Sequence, residues 1–409
     1  MKIAFFSNFL NHHQLPFSQA MVKLTNDQYT FVATEPVPDD RLSMGYYSMN
    51  DQYPFVLKTY ESENNRRTAF KLADECDVVI IGSAPSEYVD KRIKNGKLTF
   101  HYSERLYKNG YFYLYFAKKV IPLFYARFRM KNNQGWLWDI HGQYRDCQNL
   151  YMLCSSQYTA GDLWLSKLYR GKTYKWGYFP EVKQQNIKEL LRKKDRNVVQ
   201  IMWAGRMLSW KHPEECVFLA DKLKKHGYSF HINVVGNGNQ FEKLQQLIMD
   251  KKLSDEVSLL GFMSPGKVRE NMEQSDIFIF TSDYNEGWGA VLNEAMNSGC
   301  AVVSSDAIGS TGFLIHDGVN GFKYRNASHQ DLYRKVSFLI EHPEKRKLFA
   351  ENAYKNLIEE WNAEEAAKRL IDLSERLNCG KSTPYQTGPC SIAKPVFKGR
   401  LIAEKNIQY

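Results

Sequence analysis

Glu286 and Glu294 stand eight residues apart in the stretch Glu-Gly-Trp-Gly-Ala-Val-Leu-Asn-Glu. At about 1.5 Å of rise per helical residue their backbones lie roughly 10–12 Å apart. A carboxyl pair that flanks one glycosidic bond sits within about 5–9.5 Å. The spacing therefore suits two parts of one elongated, hydroxyl-rich ligand. Between the glutamates, the amides of Gly287, Gly289 and Ala290 fall at a predicted helix N-terminus, where backbone N–H groups receive anions. Hydroxyl, anion, hydroxyl is the layout of a sugar nucleotide.

Arg206 and Lys211, in Gly-Arg-Met-Leu-Ser-Trp-Lys, are a second pair with chemistry. Arginine offers phosphate oxygens a planar fork and lysine a compact charge. Gly236 and Gly238 flank Asn237 at a strand end, a place where a backbone can approach a ligand closely. His12 and His13 occupy the first loop, either as ligand contacts or as caps and solvated loop residues.

The elements that must position these groups are readable from the pattern. Lys2 to Phe6, Thr30 to Ala33, Phe55 to Lys58, Asp77 to Gly82, Leu98 to Phe100 and Tyr151 to Cys154 are short bounded apolar runs, predicted as strands. Helices are predicted up to Leu24, over Asn65 to Glu75 and from Cys154 to roughly Tyr169. A second series follows at Val198 to Ala204, Phe230 to Val235, Val257 to Leu260, Ile277 to Phe280 and Ala301 to Val303. The helix carrying Glu294 is stopped by Gly299. Further helices are predicted over Asp331 to Leu339, Pro343 to Leu357 and Trp361 to Leu377. Alternating strands and helices predict doubly wound parallel sheets, whose ligands bind at the carboxyl ends of the strands.

At 409 residues the chain exceeds one typical core. Its 43% hydrophobic and 24% charged content places it among globular chains, and no apolar run approaches the roughly 20 residues of a membrane span. The N-terminal apolar stretch is too short for a signal peptide, so a cytoplasmic location is expected. Seven scattered cysteines without a Cys-x-x-Cys pair argue against a disulfide framework or a zinc site. There is no Asp-x-Asp, no Walker-type loop and no His/Cys cluster at metal spacing, so no metal or other cofactor is expected.

The net charge of +10 and pI near 9.0 predict an anionic partner. Much of that charge lies between Lys91 and Lys131, where eleven Lys and Arg face one acidic residue, Glu104. Within it, residues 108–131 interleave aromatic and basic side chains. They read as an interfacial segment on anionic lipid, as a core helix with snorkelling cations, or as a single-strand nucleic-acid surface.

The string Glu-Gly-Trp-Gly-x4-Glu-Ala-Met-x-x-Gly, followed by Ala-Val-Val-x-Ser, resembles the Glu-x7-Glu signature of the retaining family 4 glycosyltransferases, which have the GT-B fold. Gly205-Arg206-x4-Lys211 is similar to that family's diphosphate-holding motif, and Asp317-Gly318-Val319-Asn320-Gly321-Phe322 to another of its segments. Where the family often has Pro-Ser, this chain has Thr281-Ser282, and the family's first-loop glycine pair is missing. The resemblance spans residues 1–377 and is diffuse in the first half. It implies two Rossmann-like domains facing a cleft, residues 1–177 and 178–360, with a crossover helix at 361–377. Residues 378–409 are a basic tail containing Pro and Gly, to which the resemblance assigns no element.

The resemblance further implies catalytic roles for Glu286, at the donor sugar, and for His101, at the end of a first-domain strand; a core role for that histidine stays open. It implies a donor site of Glu294 at the ribose, Arg206 and Lys211 at the diphosphate, Gly287, Trp288, Gly289 and Ala290 around the anion, Gly236 and Gly238, and Phe262 at the base. The expected partners are a nucleotide-sugar donor, with UDP favoured, a saccharide or lipid-linked saccharide acceptor and an anionic membrane surface, and not a nucleic acid. The expected activity is metal-independent hexosyl transfer with retention. A sugar-nucleotide epimerase or hydrolase of the same architecture, or a basic RNA- or membrane-binding protein, is the alternative.

Overall fold

The computed structural model describes residues 1–39, 48–105, 147–165, 169–194 and 196–397. The basic aromatic segment 108–131 lies outside them. The chain forms two units, Met1–Glu181 with Ala363–Tyr409, and Val182–Asn362.

The first unit is built on a seven-stranded parallel sheet of β1 (Ile3–Ser7), β2 (Tyr29–Ala33), β3 (Val56–Lys58), β4 (Val78–Ile81), β5 (Thr99–Ser103), β6 (Leu150–Cys154) and β7 (Thr173–Lys175). The strand order is β3-β2-β1-β4-β5-β6-β7. β1 is apolar from Ile3 to Phe6 and β4 at every position, and both are buried throughout, as central strands of a sheet covered on two sides must be. Helices α1 (Leu15–Leu24), α2 (Glu63–Glu75), α3 (Asp90–Lys94) and α4 (Thr159–Leu165) belong to this unit. The Ser62 hydroxyl accepts the Asn65 N–H at the start of α2, and Glu63 lies in its positively polarised first turn.

The second unit has a six-stranded parallel sheet of β8 (Val199–Ala204), β9 (Phe230–Val235), β10 (Val257–Gly261), β11 (Ile277–Phe280), β12 (Ala301–Ser305) and β13 (Phe322–Tyr324), in the order β10-β9-β8-β11-β12-β13. The chain winds outward from β8 to β10, then returns to place β11 on the other side of β8. The crevice between the carboxyl ends of β8 and β11 is therefore this sheet's topological switch point. Helices α5 (Ile187–Arg192), α6 (Glu215–Lys225), α7 (Phe241–Asp250), α8 (Pro265–Gln274), α9 (Val291–Asn297), α10 (Thr311–Leu314), α11 (His329–Glu341) and α12 (Pro343–Glu359) surround it.

α8 and α9 end against a buried cation. Lys194 is 4% exposed, and its ammonium donates to the carbonyls of Ser275 at 2.7 Å, Ser298 at 2.8 Å and Gly299 at 2.7 Å. One lysine thus satisfies carbonyls that two helix ends leave without intrahelical donors. Burial lowers its pKa.

After α12 the chain returns to the first unit, where α13 (Ala363–Asn378) packs on α1 through an apolar face that includes Ala366, Leu370 and Leu373. Beyond it, the chain runs antiparallel along β7: Lys175 N–H donates to Ser391 O at 2.7 Å, and Ala393 N–H to Thr173 O at 3.0 Å. This covers an edge whose backbone groups would otherwise be open to pairing. Among the described residues no helix is long and apolar enough to cross a membrane.

Candidate functional site

The loop after β8 and the loop after β11 meet at the switch point. β8 ends in Gly205-Arg206, and a 3-10 turn over Ser209–Lys211 carries the chain towards α6. β11 runs directly into Thr281-Ser282. Thr281 ties the two loops together, its Oγ1 accepting the Trp203 indole N–H at 2.8 Å and donating to Lys211 O at 2.7 Å. A proline in its place has no hydroxyl for either bond.

Lys211 Nζ reaches Glu286 Oε2 at 2.6 Å, and both side chains are 11% exposed. The ammonium also lies 4.7 Å from the Trp210 ring centre, a cation–π distance. Ser282 Oγ donates to the same carboxylate oxygen at 2.9 Å. Glu286 Oε1 receives no protein donor among the described residues, which leaves an acceptor of fixed position for a hydroxyl. Trp210, Thr281 and Ser282 support this pair without having been singled out for it, since their polar and ring contacts join elements far apart in sequence.

Gly289 holds φ +83°, and a Cβ there would meet the Phe280 ring at 2.6 Å. The amides of Gly287, Gly289 and Ala290 donate to no protein acceptor among the described residues. Trp288 differs from its neighbours in this loop. Its side chain is fully buried, its indole N–H donates to Asn293 Oδ1 at 2.9 Å, and its ring packs 5.9 Å from that of Trp361. It is a core residue that reaches the loop only through its backbone.

On α9, Glu294 is half-buried and its carboxylate makes no hydrogen bond or ion pair with the described residues. Burial raises its pKa, and the Arg269 charge pulls against that shift. Arg206 is exposed and also makes no side-chain hydrogen bond or ion pair there. A half-buried carboxylate without a hydrogen-bond donor costs stability.

Gly236 and Gly238 allow two backbones to approach closely. At φ +135° a Cβ on Gly236 would stand 1.9 Å from Gly205 O, and one on Gly238 2.6 Å from Met207 O. The glycines let the loop after β9 lie against the loop after β8, with Met207 N–H donating to Asn237 O at 2.8 Å. They thereby fix the backbone on either side of Arg206. Phe262 follows β10 and is 69% exposed, an aromatic face open to solvent.

In the first unit, His101 is not at a strand end. β5 continues through Tyr102 and Ser103, and His101 is paired between Ile81 and Met152 with no exposed surface. Burial pushes its pKa down to about 3, so the ring is neutral at neutral pH. Its Nδ1 lies 3.5 Å from the Tyr169 hydroxyl. His12 and His13 sit in the loop after β1, at the first sheet's own switch point between β1 and β4. Their rings lie 3.8 Å apart, and that of His13 stacks at 5.5 Å on Tyr178, whose hydroxyl donates to Glu104 at 2.5 Å. Among the described residues no group of three or more His, Cys, Asp and Glu is placed to hold a metal ion.

The chain is 29% identical over 188 residues, 46% of its length and 47% of the relative's, to an uncharacterized glycosyltransferase of Methanocaldococcus jannaschii. It is 27% identical over 170 residues, 41% of its length and 34% of the relative's, to the poly(ribitol-phosphate) alpha-N-acetylglucosaminyltransferase of Staphylococcus aureus. The chain thus spans less than half the length of these relatives. Among solved structures, Anabaena HepE in complex with UDP superimposes with a TM-score of 0.62 at 15% identity, over 91% of this chain and 99% of that one. Sucrose-phosphate synthase from Thermosynechococcus elongatus does so with 0.59 at 14%, over 93% and 100%. The chain therefore has the GT-B fold, and its second unit, over residues 182–356, matches the family described as Glycosyl transferases group 1.

Proposed function

We propose that this protein is a retaining glycosyltransferase that moves a hexose-type sugar from a UDP-sugar to a saccharide or lipid-linked saccharide acceptor, without a metal ion. The observation that carries the reading is Glu294, a half-buried carboxylate with no hydrogen-bond or ion-pair partner among the described residues, eight residues beyond Glu286, whose Oε1 receives no donor among them. In this reading Glu294 binds the ribose hydroxyls and Glu286 Oε1 a hydroxyl of the donor sugar. Arg206, Lys211 and the amides of Gly287, Gly289 and Ala290 take the diphosphate, and Phe262 lies against the base.

The chemistry follows from charge. Cleaving the bond to the anomeric carbon leaves a nucleoside diphosphate with added negative charge, which fixed cations and amides stabilise more in the transition state than in the ground state. The relatives support the donor and the stereochemistry. HepE is described in complex with UDP, and the names of two relatives specify alpha products, as retention from an alpha-linked donor gives. The acceptor assignment and a peripheral location on the inner face of the plasma membrane rest on the sequence of residues 108–131.

The test is product analysis. Purified protein with UDP-hexoses and a panel of saccharide and lipid-linked acceptors, with and without EDTA, is expected to give an alpha-linked product in both conditions. A beta-linked product contradicts retention, and loss of activity in EDTA that divalent metal restores contradicts metal independence. Turnover of the sugar nucleotide with no acceptor consumed supports the epimerase or hydrolase alternative instead.

A further inference from the structure

His212 follows Lys211 and adopts the left-handed conformation, φ +50° and ψ +54°. Residues with a side chain hold that conformation where surrounding interactions fix it. Here the imidazole lies between two carboxylates, with Nδ1 2.9 Å from Glu214 Oε1 and Nε2 3.5 Å from Asp283 Oδ2. A neutral imidazole carries one N–H and would turn a lone pair towards one carboxylate. Only the imidazolium satisfies both.

Asp283 is the hub of the loop after β11. Its N–H donates to Trp210 O at 2.9 Å, and its carbonyl accepts the Glu286 N–H at 3.1 Å. Its Oδ1 accepts the Asn285 N–H at 2.8 Å and the Asn285 side-chain amide at 2.9 Å. The His212–Asp283 pair therefore joins the residue beside Lys211 to the residue that fixes the Glu286 backbone. We propose that His212, as an imidazolium, is a positioning residue that clamps the loop after β8 to the loop after β11 and so sets the Lys211–Glu286 arrangement that receives the donor.

The surrounding charges agree. Hydrogen bonds with Asp283 and then Glu214 raise the His212 pKa from 6.5 to about 10, against the opposing effect of burial. Glu214 also faces Lys243, Glu215 is paired with His329, and Lys211 is turned to Glu286. The clamp is therefore charged throughout the physiological range and does not switch within it. This inference rests on the donor-binding reading above, although the clamp itself is a property of the ligand-free protein.

The experiment has two readouts. In the ligand-free protein with ¹³C-labelled histidine, the resonance missing from His212→Asn identifies His212. It is expected not to titrate between pH 5.5 and pH 8.5, about the span over which an ordinary histidine changes charge; titration near pH 6.5 overturns the clamp. The second readout is steady-state kinetics with UDP-glucose, or binding of UDP where turnover is too slow. Asparagine tolerates the left-handed backbone, so His212→Asn separates the charge from the turn. Donor KM is expected to rise about tenfold with acceptor KM unchanged. Asp283→Asn is expected to do the same, and the double variant no more than either single one. Equal rises in both KM values, or unchanged donor KM in a folded variant, overturn the positioning role. If wild type binds no nucleotide, the donor reading fails and the positioning role with it, while the titration still decides the clamp.

Discussion

Lys211 and Glu286, 75 residues apart in sequence, close a 2.6 Å ion pair where the two central strands of the second sheet end. The pair neutralises two groups that the donor reading assigns to opposite parts of one ligand. It also keeps a hydroxyl-accepting oxygen fixed before the ligand arrives. Breaking it should therefore affect both chemistry and folding. Glu286→Gln keeps the size and one acceptor, and is expected to lower kcat/KM at least a hundredfold, about 2.7 kcal/mol of transition-state stabilisation. With Lys211 left facing a neutral amide at 11% exposure, chemical denaturation is expected to show a loss of about 3 kcal/mol as well.

Glu294 carries the opposite balance. Its folded pKa lies above its unfolded value, so it contributes stability in full below the unfolded value and loses it as pH rises through the folded one. As pH rises the ionised side chain thus becomes a burden on the ligand-free protein. Glu294→Gln is expected to raise the ligand-free melting temperature while weakening UDP binding, a trade of function for stability measurable in one thermal scan series.

The same reasoning applied to His101 gives the reverse sign. Its folded pKa is about 3, below the ordinary 6.5. The stability it contributes is present above pH 6.5 and is lost progressively as pH falls towards 3. His101→Phe is expected to show a flatter decline of unfolding free energy between pH 6.5 and pH 4 than wild type. Because the ring is enclosed in the sheet, the substitution is expected to leave the pH dependence of turnover near neutrality unchanged.

Lys194→Met removes the ammonium that caps α8 and α9. The carbonyls of Ser275, Ser298 and Gly299 lose the ammonium that donates to them at a position only 4% exposed. A loss of about 3 kcal/mol is expected from urea unfolding. Since α9 carries Glu294, UDP affinity is expected to fall as well.

Gly236→Ala separates a structural from a ligand-facing glycine. The new methyl would stand 1.9 Å from the Gly205 carbonyl oxygen, at a φ unfavourable to any side chain. A destabilisation of about 2 kcal/mol or more is expected in the absence of nucleotide. A variant as stable as wild type that has lost UDP binding would instead place the glycine against the ligand.

The two sheets were legible because their central strands, such as Val78–Ile81 and Ile277–Phe280, are buried on both faces and leave unbroken apolar runs. The edges were not. β7 is three residues long, and its partner is the segment after α13, whose pairing is carried by backbone groups that leave no mark in side-chain type. Site residues divide the same way. Arg206, Lys211, Glu286 and Glu294 are polar groups at strand and helix ends, where sequence places them on one edge. Trp288 sits in the same motif, yet its large apolar ring went to the core beside Trp361, and no local spacing separates those outcomes. His101 misled because its strand runs two residues further, which turns a loop position into an enclosed one. His212 was silent, since a histidine in the left-handed conformation announces itself only through φ.

The most direct measurement of the central claim is thermal stability of wild type and Glu294→Ala in the presence of UDP, GDP, ADP and their glucose conjugates. A nucleotide at 100 times its dissociation constant adds about 2.7 kcal/mol to the folded state. UDP and UDP-glucose are expected to raise the wild-type melting temperature, GDP and ADP to do so less, and Glu294→Ala to show no shift with any of them. A wild-type protein that no nucleotide stabilises, or a Glu294→Ala variant stabilised as much as wild type, would contradict the donor site described here.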